Sequence, residues 1–251
     1  MFFVRQKWKW FLLVPLTLFL LLQMYFFAQI AWWVHFNPES TRFMRQQLSV
    51  LRQKNPRAQL KHKWVPYNRI SIHLKKAVIA SEDAHFSEHE GVDWDGLMRA
   101  YEKNVKKGKV VAGGSTITQQ LAKNLFLSGS RSYLRKAQEL LITFMLEMLM
   151  DKQRIFEIYL NVVEMGTGIF GAEAASRHYY HIPAASLGPV QAARLAVMLP
   201  NPRYFGARPD SIYLAYRTEV ILNRMGSAEL PRKKPVTAKK KARRKKSKPS
   251  G

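Results

Sequence analysis

Between Ala77 and Leu97 the chain reads AVIASEDAHFSEHEGVDWDGL, and Glu82 is the first residue there whose setting suggests chemistry. In a helix running through His89, Glu82 would share one face with His85, Phe86 and His89. A carboxylate emerging from the apolar run Ala77–Ala80 is partly desolvated, which raises its pKa and suits it to general acid or base work. The alternative is that Glu82 and Asp83 only cap or bridge a helix end. His85-Phe86-Ser87-Glu88-His89 also matches the H-x-x-E-H zinc-peptidase pattern. Gly91 follows too soon for a long metal-bearing helix, and no second acidic motif pairs with it, so chance is the better account.

The segment Gly113-Gly114-Ser115-Thr116-Ile117-Thr118-Gln119-Gln120-Leu121-Ala122-Lys123-Asn124 carries more information. Two glycines turn the chain, and Thr116 with Gln119 has the spacing of a capping box that opens a helix. The free N–H groups and dipole of such a start favour an anion there. Thr116, Gln120 and Lys123, at i, i+4 and i+7, would line one polar stripe. No Gly-Lys-Ser/Thr closes the segment, so it is not a Walker loop. An ordinary helix start with solvated Gln and Lys fits the same letters.

Arg131 precedes the next helical pattern and could hold a phosphate bidentately. Arg135 and Glu139 are spaced as an i,i+4 pair, usually a modest surface bridge, with Lys136 beside them. Glu157 and Asn161 also face together at i,i+4, and most such pairs hold a fold by hydrogen bonding.

These residues need elements to position them, and the remaining sequence supplies mainly helices. Residues 1–9 carry Arg5, Lys7 and Lys9 and no acid, and 10–34 follow with no charge at all. At ~1.5 Å rise per residue such a run crosses a ~30 Å hydrocarbon core. Trp8, Trp10, Trp32 and Trp33 bracket it where indoles favour the headgroups. No A-x-A site follows Phe27–Ala31, so an uncleaved anchor is expected rather than a signal peptide. The three cations before the span favour an inside N-terminus, although Arg42, Arg45, Arg52 and Lys54 follow it.

Residues 35–231 form the expected globular part, with helical spacing over Tyr133–Met150, Gln153–Val163 and Pro189–Leu199 and no sustained period-two alternation. The tail, 232–251, holds eleven cations and no acid and is expected to be disordered. Without it the formal charge of +24 falls to +13, so the domain is basic in its own right. That charge suits a polyanion, lipid headgroups included, or in the tail a merely solubilising end. With 47% hydrophobic residues the chain is no disordered polyelectrolyte, and with no cysteine it has neither disulfides nor thiol chemistry.

Taken in order, the motifs resemble the peptidoglycan glycosyltransferases, in particular their monofunctional branch. Glu82-Asp83, Phe86, His89, Gly91 and Asp93 match the family's first motif, and Gly113–Asn124 the whole of its second. Arg135-Lys136-x-x-Glu139 matches the third, Ile155-x-Glu157-x-Tyr159-Leu160-Asn161 the fourth, and Arg194 with Leu199-Pro200-Asn201-Pro202 the fifth. The resemblance spans roughly residues 65–225; the basic tail lies outside it.

It implies a mainly α, lysozyme-like domain behind one N-terminal transmembrane helix, with a smaller lobe dipping towards the membrane. It also implies polymerisation of lipid II into β-1,4-linked glycan with inversion and release of undecaprenyl diphosphate. With about 25 residues after the match, no transpeptidase domain is expected. On this reading Glu82 is the catalytic base and Glu139 acts at the donor end. Asp83, Phe86, His89, Ser115, Thr116, Gln119, Gln120, Lys123, Asn124, Arg131, Arg135 and Lys136 serve substrate and diphosphate, while Glu157, Asn161 and Arg194 are structural.

A divalent cation, Mg or Mn, at the diphosphate is left open. The implied partners are lipid II, the growing strand, inner-membrane lipids and cell-division or cell-wall synthesis proteins, with no nucleic acid. The implied location is the bacterial inner membrane, single-pass, with the catalytic domain in the periplasm. Two rivals remain: a lytic glycosidase of lysozyme-like fold, which would need Glu82 protonated, and a membrane-anchored basic module that binds a polyanion.

Overall fold

The computed structural model describes residues 2–109, 113–127 and 132–232, with side chains from residue 11 onward. Arg131, the cations of residues 1–9 and all but the first residue of the basic tail therefore lie outside the described side chains.

The first helix, α1 (Phe2–Trp33), contains the charge-free run, and its stretch Phe11–Trp33 is long and apolar enough to cross a membrane. Most of that stretch is open to its surroundings, as a lipid-facing helix must be, but one side of its C-terminal half is covered. Phe26 and Ile30 are buried in the core of the globular domain, and Phe26 and Trp33 both pack on Phe126, with ring centroids 4.9 and 5.2 Å away. Burial of each such side chain contributes about 1.5–3 kcal/mol. Arg154 closes the junction. Its Nε and Nη2 donate to the Trp33 carbonyl at 3.1 and 3.0 Å, and Nη2 also donates to the Phe36 carbonyl at 2.7 Å. A guanidinium thus satisfies the carbonyls at the negative end of the α1 dipole.

The globular domain continues with α2 (Arg42–Lys54), β1 (Lys61–His62), α3 (Ile72–Glu82), α4 (Trp94–Lys107), α5 (Ile117–Phe126), α6 (Tyr133–Leu149) and α7 (Lys152–Val162). After these come β2 (Glu164–Gly166), β3 (Ile169–Phe170), α8 (Ala172–Tyr180), α9 (Pro189–Met198), α10 (Pro202–Gly206) and α11 (Ile212–Arg224). The helices expected after Tyr133, Gln153 and Pro189 are present within a residue of their expected ends. Sequence spacing missed a small sheet of order β1-β3-β2, parallel then antiparallel. Strands of two or three residues are too short to show alternation.

Local chemistry sets the helix starts. Thr116, Ser132, Asp151 and Asp93 each accept a backbone N–H at the first turns of α5, α6, α7 and α4. Pro189 opens α9, where its missing N–H costs nothing. At Gly171, φ is +80° and a Cβ would strike the Asn161 carbonyl, so only glycine lets the turn into α8 pass this close to α7.

Helix α3 packs on α9 and α11, and α5 lies between α6 and α7. Tyr159, Phe156, Phe86, Leu121, Ile142 and Leu146 fill the space between them. Helix α6 also lies against α1, where Gln23 and Gln138 exchange a reciprocal pair of amide hydrogen bonds at 3.0 and 2.9 Å. Its outer side leaves Leu134, Leu141, Phe144 and Met148 exposed, and α4 likewise exposes Trp94, Leu97, Met98, Tyr101 and Val105.

Candidate active site

The apolar side of α3 is buried against α9, and the helix ends as it reaches a cleft. Glu82 is its last residue. Asp83 leaves the helix with φ −161° and ψ 79°, so the helical face through His89 expected from the sequence does not form. Phe86 instead turns into the core, fully buried, with its ring 5.5 Å from Phe156 and under the Lys152 ammonium at 4.6 Å. It supports the cleft from behind and offers no surface to a substrate. The zinc pattern is also dispersed: His89 Nε2 pairs with Asp83 at 2.9 Å and His85 Nδ1 with Glu88 at 3.1 Å.

Asp83 accounts for the position of α5. Its Oδ2 accepts the Ile117 backbone N–H at 3.0 Å while Oδ1 faces His89. An anion does sit at the α5 N-terminus, and it is the protein's own Asp83 carboxylate. The capping box completes this start: the Gln119 N–H donates to Thr116 Oγ1 at 3.2 Å and the Thr116 N–H to Gln119 Oε1 at 3.1 Å. Thr116 Oγ1 also donates to the Gly91 carbonyl at 2.6 Å, tying the acidic loop to the Gly-Gly-Ser-Thr segment. Thr116, Gln119 and Asn124 are buried, so they build the cleft wall. Ser115 is exposed at its rim, 3.5 Å from Lys136 Nζ.

One turn further along α5, Gln120 Nε2 donates to Glu82 Oε2 at 2.8 Å, and Gln120 Oε1 accepts from Tyr159 Oη at 3.0 Å. Burial pushes the Glu82 pKa up from the ordinary carboxylate value. The hydrogen bonds from Gln120 and Ser81 oppose that rise, Asp83 adds to it, and the Lys123 charge opposes it. Lys123 is half-buried on the same helix. Burial lowers its pKa, Glu139 opposes that, Arg135 and Lys136 reinforce it, and Glu82 opposes it. The Lys123 charge is therefore coupled both to Glu82 and to the charged group on α6.

In that α6 group, Glu139 is only 3% exposed, so the Arg135–Glu139 pair is not the surface bridge that spacing suggested. Arg135 Nη1 donates to Glu139 Oε2 at 2.7 Å and Lys136 Nζ donates to Oε1. Buried and held by two cations, Glu139 keeps Arg135, Lys136 and Lys123 gathered despite their mutual repulsion. The arrangement does not fit a resident divalent cation. Both Glu139 oxygens are taken by cations, and among the described residues no three His, Asp or Glu side chains are arranged around one point.

The fourth motif works from behind. Asn161 accepts the Val65 N–H at 2.9 Å and donates to the Val65 and Glu157 carbonyls, while Glu157 accepts the Tyr67 N–H at 3.1 Å and pairs with Arg154. These bonds hold the segment before α3 on α7. Arg194, on α9, donates to the Pro209 carbonyl and so ties the approach to α11. Motif reading assigns no separate role to Tyr159; its only signal is its place inside the fourth motif. The cleft itself, about 280 Å³, is bounded by Glu82, Asp83, His85, Asp93, Arg99 and the turn Gly113–Thr116. A partly buried carboxylate at the floor and a cluster of cations beside it can accept a proton from a hydroxyl and stabilise an anionic leaving group.

Comparison with known proteins agrees with this layout. The Transglycosylase family profile matches residues 47–226. The biosynthetic peptidoglycan transglycosylase of Janthinobacterium sp. (strain Marseille) is 71% identical over 228 residues, which cover 91% of this chain and 99% of the relative. Those of Herminiimonas arsenicoxydans and Azoarcus sp. (strain BH72) are 70% and 60% identical, again over 91% of this chain and 99% and 100% of theirs. With the acidic loop and the Gly-Gly-Ser-Thr helix start lining one cleft of a mainly helical, lysozyme-like domain, and the Arg-Lys-Glu cluster joined to its rim through Ser115, the chain belongs to the transglycosylase family.

Proposed function

We propose that this chain is a membrane-anchored peptidoglycan glycosyltransferase that polymerises lipid II into β-1,4-linked glycan with inversion and releases undecaprenyl diphosphate. The observation that carries the reading is the half-buried Glu82 carboxylate, held by Gln120 in a cleft whose rim residue Ser115 lies beside the Arg135–Lys136–Glu139 cluster. Glu82 takes the proton from the 4-hydroxyl of the acceptor sugar as that oxygen bonds to the anomeric carbon of the donor. The bond from that carbon to the diphosphate breaks, and Lys123, Arg135 and Lys136 neutralise the charge that grows on the departing oxygens. The pairing parallels inverting glycosidases, with a sugar hydroxyl in place of water. Glu139 is the anchor of the cation cluster.

The anchor fits a substrate that is itself in a membrane, because tethering removes much of the entropic cost of encounter. The exposed apolar faces of α4 and α6, the second of them docked on α1, support a lobe that dips into the bilayer. On this reading the domain lies on the periplasmic side of the inner membrane, where cell-wall synthesis or division proteins would meet it. A glycan-cleaving enzyme would need Glu82 protonated. The Gln120 N–H that donates to it and the three gathered cations favour the polymerase.

The test is incubation of the detergent-solubilised full chain with labelled lipid II, resolved by gel beside Glu82→Gln. Long glycan from the native chain and none from the variant is the expected result. Turnover by Glu82→Gln would remove Glu82 from the base role.

A further inference from the structure

Glu82 is held through a chain of two hydrogen bonds that crosses three helices: Tyr159 on α7 donates to Gln120 on α5, and Gln120 donates to Glu82 at the end of α3. The middle member has a direction. A glutamine amide offers a carbonyl at one end and an NH2 at the other, and a half-turn exchanges them. In the observed direction the NH2 faces the carboxylate, which suits an ionised Glu82, an acceptor only. In the reversed direction the amide oxygen would face Glu82, which is favourable only when Glu82 is protonated and can donate.

Tyr159 separates these two states. Its side chain is fully buried, and among the described residues Gln120 is its hydroxyl's hydrogen-bond partner. Reversing the amide would present NH2 to that hydroxyl, which would have to accept, leaving its own hydrogen with no acceptor in a dry site. Buried donors without partners are strongly disfavoured. Gln120 is therefore locked from the tyrosine end.

We propose that Tyr159 is a positioning residue that fixes the direction of the Gln120 amide and thereby keeps Glu82 in its ionised, proton-accepting form. The inference rests on the reading of Glu82 as the base and specifies how a desolvated carboxylate stays a base. The other groups facing Glu82 are accounted for on each side. Ser81 donates to it weakly at 3.4 Å and is shared with the Ala196 carbonyl of α9. Asp83, paired with His89, repels its charge. From α5 comes Lys123, whose charge is coupled in turn to Glu139, Arg135 and Lys136 of α6. Only the Gln120 contact depends on a side chain that can turn over without changing its shape.

The test is the pH dependence of initial polymerisation rates, measured on the full chain in detergent with labelled lipid II for the native protein, Tyr159→Phe, Gln120→Met and the double variant. Tyr159→Phe should move the acid limb of the profile up by about one pH unit, a roughly tenfold loss on the acid side that shrinks as pH rises. Gln120→Met should move it at least as far, and the double variant no further than Gln120→Met alone. An unmoved limb, or a loss equal at every pH, would overturn the proposal. Activity in Glu82→Gln, or a native profile without an acid limb, would instead overturn the reading of Glu82 itself.

Should Tyr159→Phe fail to fold, a titration of the native chain carries the test. With 15N-labelled glutamine, assigned through Gln120→Met, the side-chain NH2 resonances of Gln120 should titrate with the midpoint of the rate profile. Resonances indifferent to that titration would place the NH2 towards Tyr159 and defeat the proposal.

Discussion

Asp83 sets its carboxylate 3.0 Å from the backbone N–H of Ile117, the first residue of α5. The acidic loop and the Gly-Gly-Ser-Thr segment, 34 residues apart in the chain, are thereby one structure. The same carboxylate orients His89. Asp83→Ala would leave the Ile117 N–H and His89 without their acceptor and should destabilise the domain by about 3 kcal/mol. Asp83→Asn, which still offers an oxygen to Ile117, should lose about 1 kcal/mol. Denaturant unfolding in detergent measures both, and equal losses would mean that the charge, not the acceptor, holds the helix.

Glu82→Gln should make the protein more stable as well as inactive. The Glu82 pKa is raised in the folded chain above its ordinary value of 4.5, so between those two values the folded state binds more protons than the unfolded one. Its contribution to stability therefore falls as pH rises through that window and stays unfavourable above it. At neutral pH the variant should melt a few degrees, about 2–4 °C, higher than the native chain. The gap should close as pH drops below the ordinary carboxylate value. A neutral or lowered Tm near pH 7 would contradict the desolvation of this carboxylate.

Lys123 should set the alkaline limb of the rate profile. Burial lowers its pKa, so the charge that in the proposed mechanism stabilises the leaving diphosphate is lost as pH rises through that lowered value. Lys123→Arg should slow the enzyme, because a guanidinium does not replace a compact ammonium, but should push the alkaline limb out of range, since arginine stays charged. Lys123→Ala should lower both affinity and rate, as loss of a contact to a ground-state charge that grows in the transition state. An unchanged alkaline limb in Lys123→Arg would assign it to another group.

The Gln23–Gln138 pair joins α1 to α6 one residue before Glu139. Gln23→Leu and Gln138→Leu should each destabilise the docked anchor by about 1 kcal/mol, since each leaves one amide unpaired in an apolar seam. The double variant should recover most of that loss, because two leucines pack without polar groups to satisfy. Thermal unfolding of the four proteins in detergent gives the cycle, and strict additivity would mean that the two amides do not act as a pair.

The chain by itself determines the helical character, the membrane-length run before the domain, and the identity of the acidic, Gly-Gly-Ser-Thr and Arg-Lys-Glu groups. These follow from apolar periodicity, from Thr116 and Gln119 at capping distance, and from motif order, all local in sequence. Tertiary structure decides which of them meet. Spacing alone leaves Arg135–Glu139 looking like a surface bridge, because only packing of α6 on α5 shows Glu139 to be buried. It projects a helical face from Glu82 to His89, whereas the end of α3 sends Phe86 into the core and Asp83 to the start of α5. Nothing local marks Tyr159 as a partner of Gln120, 39 residues earlier. Periodicity reports which side of a helix faces inward, while the direction of a hydrogen bond between two buried side chains is set only when three helices close around it.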